Sequence, residues 1–237
     1  MMKALYSILA TTVLCFLITS CTTEVEGLGP INLHDVKIEN FENLYLEIPA
    51  HVVIEEGDSA TCTIACQDNI FNEIVASTEN KKLIIESNNK FKVQRPIEIR
   101  LTIPKVDYID ITGNGTVEYN PTKYQKKFSV ELKGKSKVIS NINSSEIKID
   151  VIDNGDAVIS GKTEEIEGII NGSGDIHAYD LVADKCKIEI NGSGNVRCSP
   201  KSNLKANIHG SGDIYYKGTP EIKSEITGSG QIKRESK

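Results

Sequence analysis

From residue 107 onward, apolar and polar residues alternate on both sides of a recurring glycine-rich turn. Seven segments share the pattern, among them Ile170-Asn-Gly-Ser-Gly-Asp-Ile176, Ile190-Asn-Gly-Ser-Gly-Asn-Val196 and Ile208-His-Gly-Ser-Gly-Asp-Ile214. The turns begin at Gly113, Gly134, Asp153, Gly172, Gly192, Gly210 and Gly228, in steps of 21, 19, 19, 20, 18 and 18 residues. Two positions before each turn stand Ile111, Leu132, Val151, Ile170, Ile190, Ile208 and Ile226. Four positions after it stand Val117, Val138, Ala157, Ile176, Val196, Ile214 and Ile232. Apolar residues with period two on each side of a turn mean a strand, a corner and a second strand. Lys148, Asp150, Lys187, Glu189 and Lys205 fall between them and face water.

One such repeat cannot bury enough apolar surface to offset the entropy of ordering it, so neighbours must stack and cover each other's edges. The pattern predicts an all-β chain, a parallel β-helix of about seven short Gly-Ser-Gly coils, each beside its sequence neighbour. Ile170, Ile190 and Ile208 should then lie one above another. The competing solution is an antiparallel sandwich with Gly-Ser-Gly hairpins, and that fold needs no common step near nineteen residues. The first and third corner positions are glycine in most copies, which predicts positive φ at both. Asp153 fits the left-handed region better than most residues, and Ser136 is the poorest fit.

Residues 36–106 alternate less regularly. Leu44, Leu46 and Ile48 share one face, as do Cys62, Ile64 and Cys66, and likewise Ile97, Ile99, Leu101 and Ile103. Ile70, Phe71, Ile74 and Val75, within Asn69 to Ser77, suit one or two helical turns. The expectation is a domain over residues 36–237, with longer, irregular coils over 36–106 capping the regular repeats of 107–237.

The N-terminus carries a different signal. Lys3 precedes an apolar run from Ala4 to Leu17, too short to span a bilayer but of the length of a signal segment. It ends at Ile18-Thr19-Ser20-Cys21, which resembles a lipobox. The resemblance implies a signal peptide over residues 1–20, lipidation at Cys21, and a membrane partner reached through that anchor. The protein would then be held in the bacterial cell envelope, at the outer membrane and open to surface exposure. Thr22 to Pro30 lacks periodicity, and residues 21–35 read as a tether.

Composition narrows the chemistry further. The net charge is −6, which argues against binding along a nucleic-acid backbone. Gly-Ser-Gly-Asp invites comparison with calcium-binding β-rolls, but those repeat every nine residues with a different Asp spacing. Here Asp156, Asp175, Asn195 and Asp213 share their column with Lys137 and Gln231, which suits corner stabilisation better than a metal. Ser173, Ser193, Ser211 and Ser229 recur in series, and a nucleophile need not repeat. The four histidines have no acidic partner at a telling spacing, so no catalytic residue, cofactor or metal site is predicted. Cys186 and Cys198 fall in core columns and read as small hydrophobes. One outward column is chemically mixed: five positions after the corner, His177, Arg197 and Tyr215 should form a polar-aromatic strip able to grip a glycan or an anionic group.

The opening Phe41-Glu-Asn-Leu-Tyr-Leu, Val53-Ile-Glu-Glu-Gly57, Ile103-Pro-Lys-Val-Asp-Tyr-Ile109 and the repeated Gly-Ser-Gly-Asp-Ile resemble the head GIN domain family of auto-transporter adhesins. The resemblance runs from Phe41 to Ile232. It implies a β-helix on a secreted or lipid-anchored protein, with no catalytic residues to carry over. Two functions follow: a non-catalytic binding, adhesion or structural module for a surface glycan or protein, or an envelope enzyme acting on polysaccharide. An enzyme should cluster Asp, Glu, Lys or Arg on one strand face. Clean columns favour the module.

Overall fold

The computed structural model describes residues 24–235. The expected signal segment, the lipobox-like stretch and Cys21 lie outside the described residues. Strands hold 70% of the chain and helix 2%, and the strands stack as the parallel coils of a β-solenoid of about seven turns. No helix among the described residues is long and apolar enough to cross a membrane.

The first strands are β1 (Val25–Glu26) and β2 (Ile31–Val36). Both correct the tether expected over residues 21–35. β2 is an outer strand whose brief alternation, Ile31-Asn-Leu33-His, breaks at Asp35 and leaves Ile31 and Leu33 in solvent. Next come β3 (Asn43–Leu46), β4 (Ala50–Glu56), β5 (Thr61–Gln67) and the single-turn helix α1 (Asp68–Phe71). Then follow β6 (Ile74–Glu79), β7 (Lys82–Ser87), β8 (Phe91–Lys92) and β9 (Ile97–Ile103). The helix is thus confined to one turn, and Ile74 and Val75 belong to β6.

These strands are not simply loose coils. β3 and β4 form one coil; β7 pairs parallel with β3 and β9 parallel with β4, forming a second coil beneath it. β6 turns back antiparallel on β7 through Asn80 and Lys81, both at positive φ as a tight hairpin requires. β5 lies antiparallel on β9, β2 antiparallel on β5, and β1 pairs with β8. Antiparallel strands therefore close this end of the solenoid. His51 of β4 ties the rows together, its ring nitrogens each 3.0 Å from a carboxylate, Glu98 on one side and Glu118 on the other.

The regular part begins with β10 (Tyr108–Gly113), β11 (Thr116–Tyr119) and β12 (Gln125–Gly134). It continues through β13 (Lys137–Asp153), β14 (Asp156–Gly172), β15 (Asp175–Gly192) and β16 (Val196–Gly210). It ends with β17 (Ile214–Tyr216), β18 (Glu221–Gly228) and β19 (Ile232–Arg234). The coil of β10 and β11 stacks on that of β3 and β4, so the order of coils departs from sequence order at this one junction. Beyond it, every coil lies beside its sequence neighbour, and every pairing is parallel. Ile190 pairs with Ile170 and with Ile208, as the column predicts, and not with a residue across its own turn. All three are 0% exposed.

The corner glycines serve two separate ends. At the first corner position φ is positive, 147° at Gly192 and 142° at Gly210, and Asp153 adopts 72° there as its residue type allows. The third position corrects the expectation, because Gly194 does not have positive φ. A Cβ there would stand 2.0 Å from the carbonyl oxygen of Gly174 in the coil below. The first glycine answers both to torsion and to the coil below, where a Cβ at Gly192 would stand 2.2 Å from the Gly172 carbonyl oxygen, and the third answers to the approach of stacked backbones alone. Ser136, the copy without that glycine, is buried, and its hydroxyl has no hydrogen-bond partner.

Candidate functional site

The structure brings the mixed outward column together. His177, Arg197 and Tyr215 occupy adjacent rows of β15, β16 and β17. Arg197 Nη1 lies 3.5 Å from His177 Nδ1, and the guanidinium stands 5.3 Å from the centre of the Tyr215 ring. Lys233 approaches the same ring at 5.4 Å. The Tyr215 hydroxyl donates to Asp213 at 3.0 Å, and Lys233 pairs with that carboxylate at 2.6 Å. The lysine hydrogen bond holds the Asp213 carboxyl below its ordinary range. Cation–π stacking and charge-assisted bonds orient the strip. Its polar groups are largely engaged with one another.

The adjoining Asp/Asn column is structural. Asp175 Oδ1 accepts the Asn195 backbone N–H at 2.7 Å, Asn195 accepts that of Asp213 at 3.2 Å, and Asp213 accepts that of Gln231 at 2.8 Å. Each side chain satisfies the next coil's backbone just past the corner, where the ladder is interrupted. Among the described residues no group of His, Cys, Asp and Glu could hold a metal ion. The serines also stack: Ser193 and Ser211 hydroxyls lie 3.0 Å apart.

A second feature had no motif to announce it. Beyond the Gly-Ser-Gly corner the long strands bend, and the register slips between Val158 and Gly161 and between Ala178 and Val182. Rows in this bend leave a groove of about 520 Å³, lined by Tyr124, Asn143, Lys162, Glu164, Val182 and Lys201 among others. It shares Val182 and Lys201 with a further groove of about 530 Å³, which adds Tyr179, Pro200, Lys217 and Thr219. Together they follow the solenoid axis across six rows, roughly 24 Å at the usual strand spacing. Tyr124 is 62% exposed, with its hydroxyl 2.6 Å from Ser145 Oγ. Lys217 Nζ stands 4.2 Å from the centre of the Tyr179 ring. Three lysines and one carboxylate line the whole, on a chain of net charge −6. The one trace of this groove in the sequence is the uneven step between turns, because the bend is where coils gain or lose residues.

The four cysteines among the described residues face the core and belong to neither feature. Burial pushes the Cys62 thiol up to about 12 and the Cys66 thiol up to about 11. Cys186, hydrogen-bonded to Cys198 inside the core, is likewise raised. All four are free and buried, as small hydrophobes would be.

Solved structures share this architecture. A protein of Bacteroides fragilis described as "a putative adhesin" superposes with a TM-score of 0.83 at 22% identity, over 89% of this chain and 99% of that one. A "putative lipid binding protein" of Parabacteroides distasonis gives 0.74 at 22% identity, over 90% and 100%. A "putative adhesin" of the same organism gives 0.71 at 21%, over 90% and 100%. No curated protein matches the sequence. The family model described as "Putative auto-transporter adhesin, head GIN domain" matches residues 40–220, and the chain belongs to that family.

Proposed function

We propose that this chain is a non-catalytic binding and adhesion module of the bacterial cell envelope, and that its axial groove takes an extended acidic polysaccharide. Membership of an adhesin family supports a binding or adhesion role at the cell surface or envelope. The observation that carries the ligand class is the groove itself. Tyr124 offers a flat apolar face to a sugar ring, and Lys162 in the row of β14, Lys201 in that of β16 and Lys217, stacked on Tyr179 just after β17, offer cations to carboxylate or sulfate groups. A groove that crosses six rows along the axis suits a polymer better than a compact ligand. Glu164 is the one carboxylate in the lining, whereas glycoside hydrolysis ordinarily needs a pair. The His177, Arg197 and Tyr215 strip would add an anion-gripping surface beside it.

Calorimetry with polygalacturonate and with neutral dextran tests this reading. The acidic polymer should bind, the neutral one should bind far more weakly, and added salt should reduce the difference. Changing Lys162, Lys201 and Lys217 together to alanine should weaken binding roughly tenfold or more. Equal binding of both polymers, or no effect of the triple change, would refute the groove as the site. Release of reducing ends during long incubation would favour the enzymatic alternative.

The anchor is tested separately. If Cys21 is lipidated, Cys21→Ser should move the protein from the membrane fraction to the soluble fraction. Mass spectrometry showing an unmodified Cys21 in the wild-type protein would refute it.

A further inference from the structure

The two ends of the solenoid are finished differently. At the N-terminal end, antiparallel β2, β5 and β6 cover the outer coil. At the other end, β18 pairs with β16 on one edge, and no described strand pairs with its second edge. All of its residues are exposed. Ile222 is 38% exposed and Ile226 43%, while Leu204 and Ile208, their row neighbours in β16, are 1% and 0% exposed. An open edge with apolar residues beside it is a template for another strand. The neighbouring β19 is blunted by Lys233, Arg234 and Glu235, so the available edge is β18 alone.

The sequence of that strand reads nearly alike from both directions about Ser224: Glu221, Ile222, Lys223, Ser224, Glu225, Ile226, Thr227. We propose that two copies of this chain pair β18 with β18, antiparallel about Ser224, and so join two solenoids tail to tail. A two-fold axis normal to the sheet keeps the core faces of both copies on the same side. Ile222 then meets Ile226 of the second copy on the core face, twice. Lys223 meets Glu225 on the water face, also twice. Opposite charges directly across an antiparallel pair attract, and like charges repel. Other registers fail by the same rule. Centring on Lys223 sets that lysine against itself and Glu221 against Glu225. Centring on Glu225 sets that glutamate against itself. Centring on either isoleucine leaves the other without an apolar partner. The symmetry selects both the partner and the register.

Ser224→Cys, introduced into the full chain, tests the pairing. Two cysteines at the two-fold would face each other at the separation of an opposed strand pair, within reach of a disulfide. Under mild oxidation this variant should give a covalent dimer on a non-reducing gel. The unsubstituted chain sets the background, and Lys205→Cys, exposed on the side of the solenoid, should stay at that background. Sedimentation in detergent gives an independent reading. The unsubstituted chain should show a dimer, and Lys223→Glu or Glu225→Lys alone should raise its dissociation constant tenfold or more. The double variant should restore it, because the swapped charges attract again. A monomer at every concentration, no extra cross-linking at Ser224, or a double variant no better than the single ones would overturn the proposal.

Discussion

Gly194→Val is expected to be the most damaging single change in the regular repeats, lowering stability by about 4 kcal/mol, or roughly 8–16 °C in Tm for a chain of this size. The cause is contact. A Cβ at this position would stand 2.0 Å from the Gly174 carbonyl oxygen and 2.9 Å from a methyl of Ile170, so the coil would have to lift from the one below it. Backbone on both sides of the clash leaves no flexible side chain to give way. Lys205→Ala, on an exposed position of β16, should change stability by less than about 0.5 kcal/mol. Thermal melts of the two variants decide the matter: equal losses would mean that the third glycine is not set by the stacking of backbones.

Ile190→Ala should follow it, at about 3 kcal/mol. Ile190 is fully buried, paired in register with Ile170 below and Ile208 above, so truncation leaves a void bounded by two fixed neighbours that cannot both collapse into it. Ile226→Ala removes the same side chain from the same column at the exposed end, where 43% of the residue is already in water, and should lose less than half as much. Comparable losses at the two positions, measured by denaturant unfolding at concentrations dilute enough to keep the chain monomeric, would contradict the burial gradient along the column.

The columns were legible because each inward position repeats seven times, at a step that varies only from 18 to 21 residues. That regularity discriminates between coils and hairpins, and Ile190 stacks accordingly. The N-terminal lid was not legible for two physical reasons. Its outer strand β2 leaves Ile31 and Leu33 in solvent, and their alternation with Asn32 and His34 stops after four residues, the shortest run that marks a strand. The pairing of β3 with β10 is non-local, with six strands and a helix between them in sequence, and no residue pattern reports such a contact. The strip of His177, Arg197 and Tyr215 followed from counting positions after the corner, where the register is constant. The groove could not be found in this way. Tyr124, Lys162, Val182 and Lys201 occupy the bend where the register slips, and counting from the turn no longer aligns them. Sequence also could not separate the two reasons for glycine at the corner, since torsion and steric exclusion select the same residue.

The direction of the backbone hydrogen bonds has a mechanical consequence. In this solenoid they run from coil to coil, parallel to the long axis, and β13 and β14 alone share sixteen paired positions. The lipid anchor proposed at Cys21 and a polymer held in the axial groove would pull along that same axis. The load would then fall on all the bonds around a coil's perimeter together, and no single strand could be peeled away before its neighbours. Force applied across the axis at the tip would instead open β18 from β16 one pair at a time, starting from the exposed end. The molecule should therefore hold firmly under tension along its length and yield early to a sideways pull at its tip.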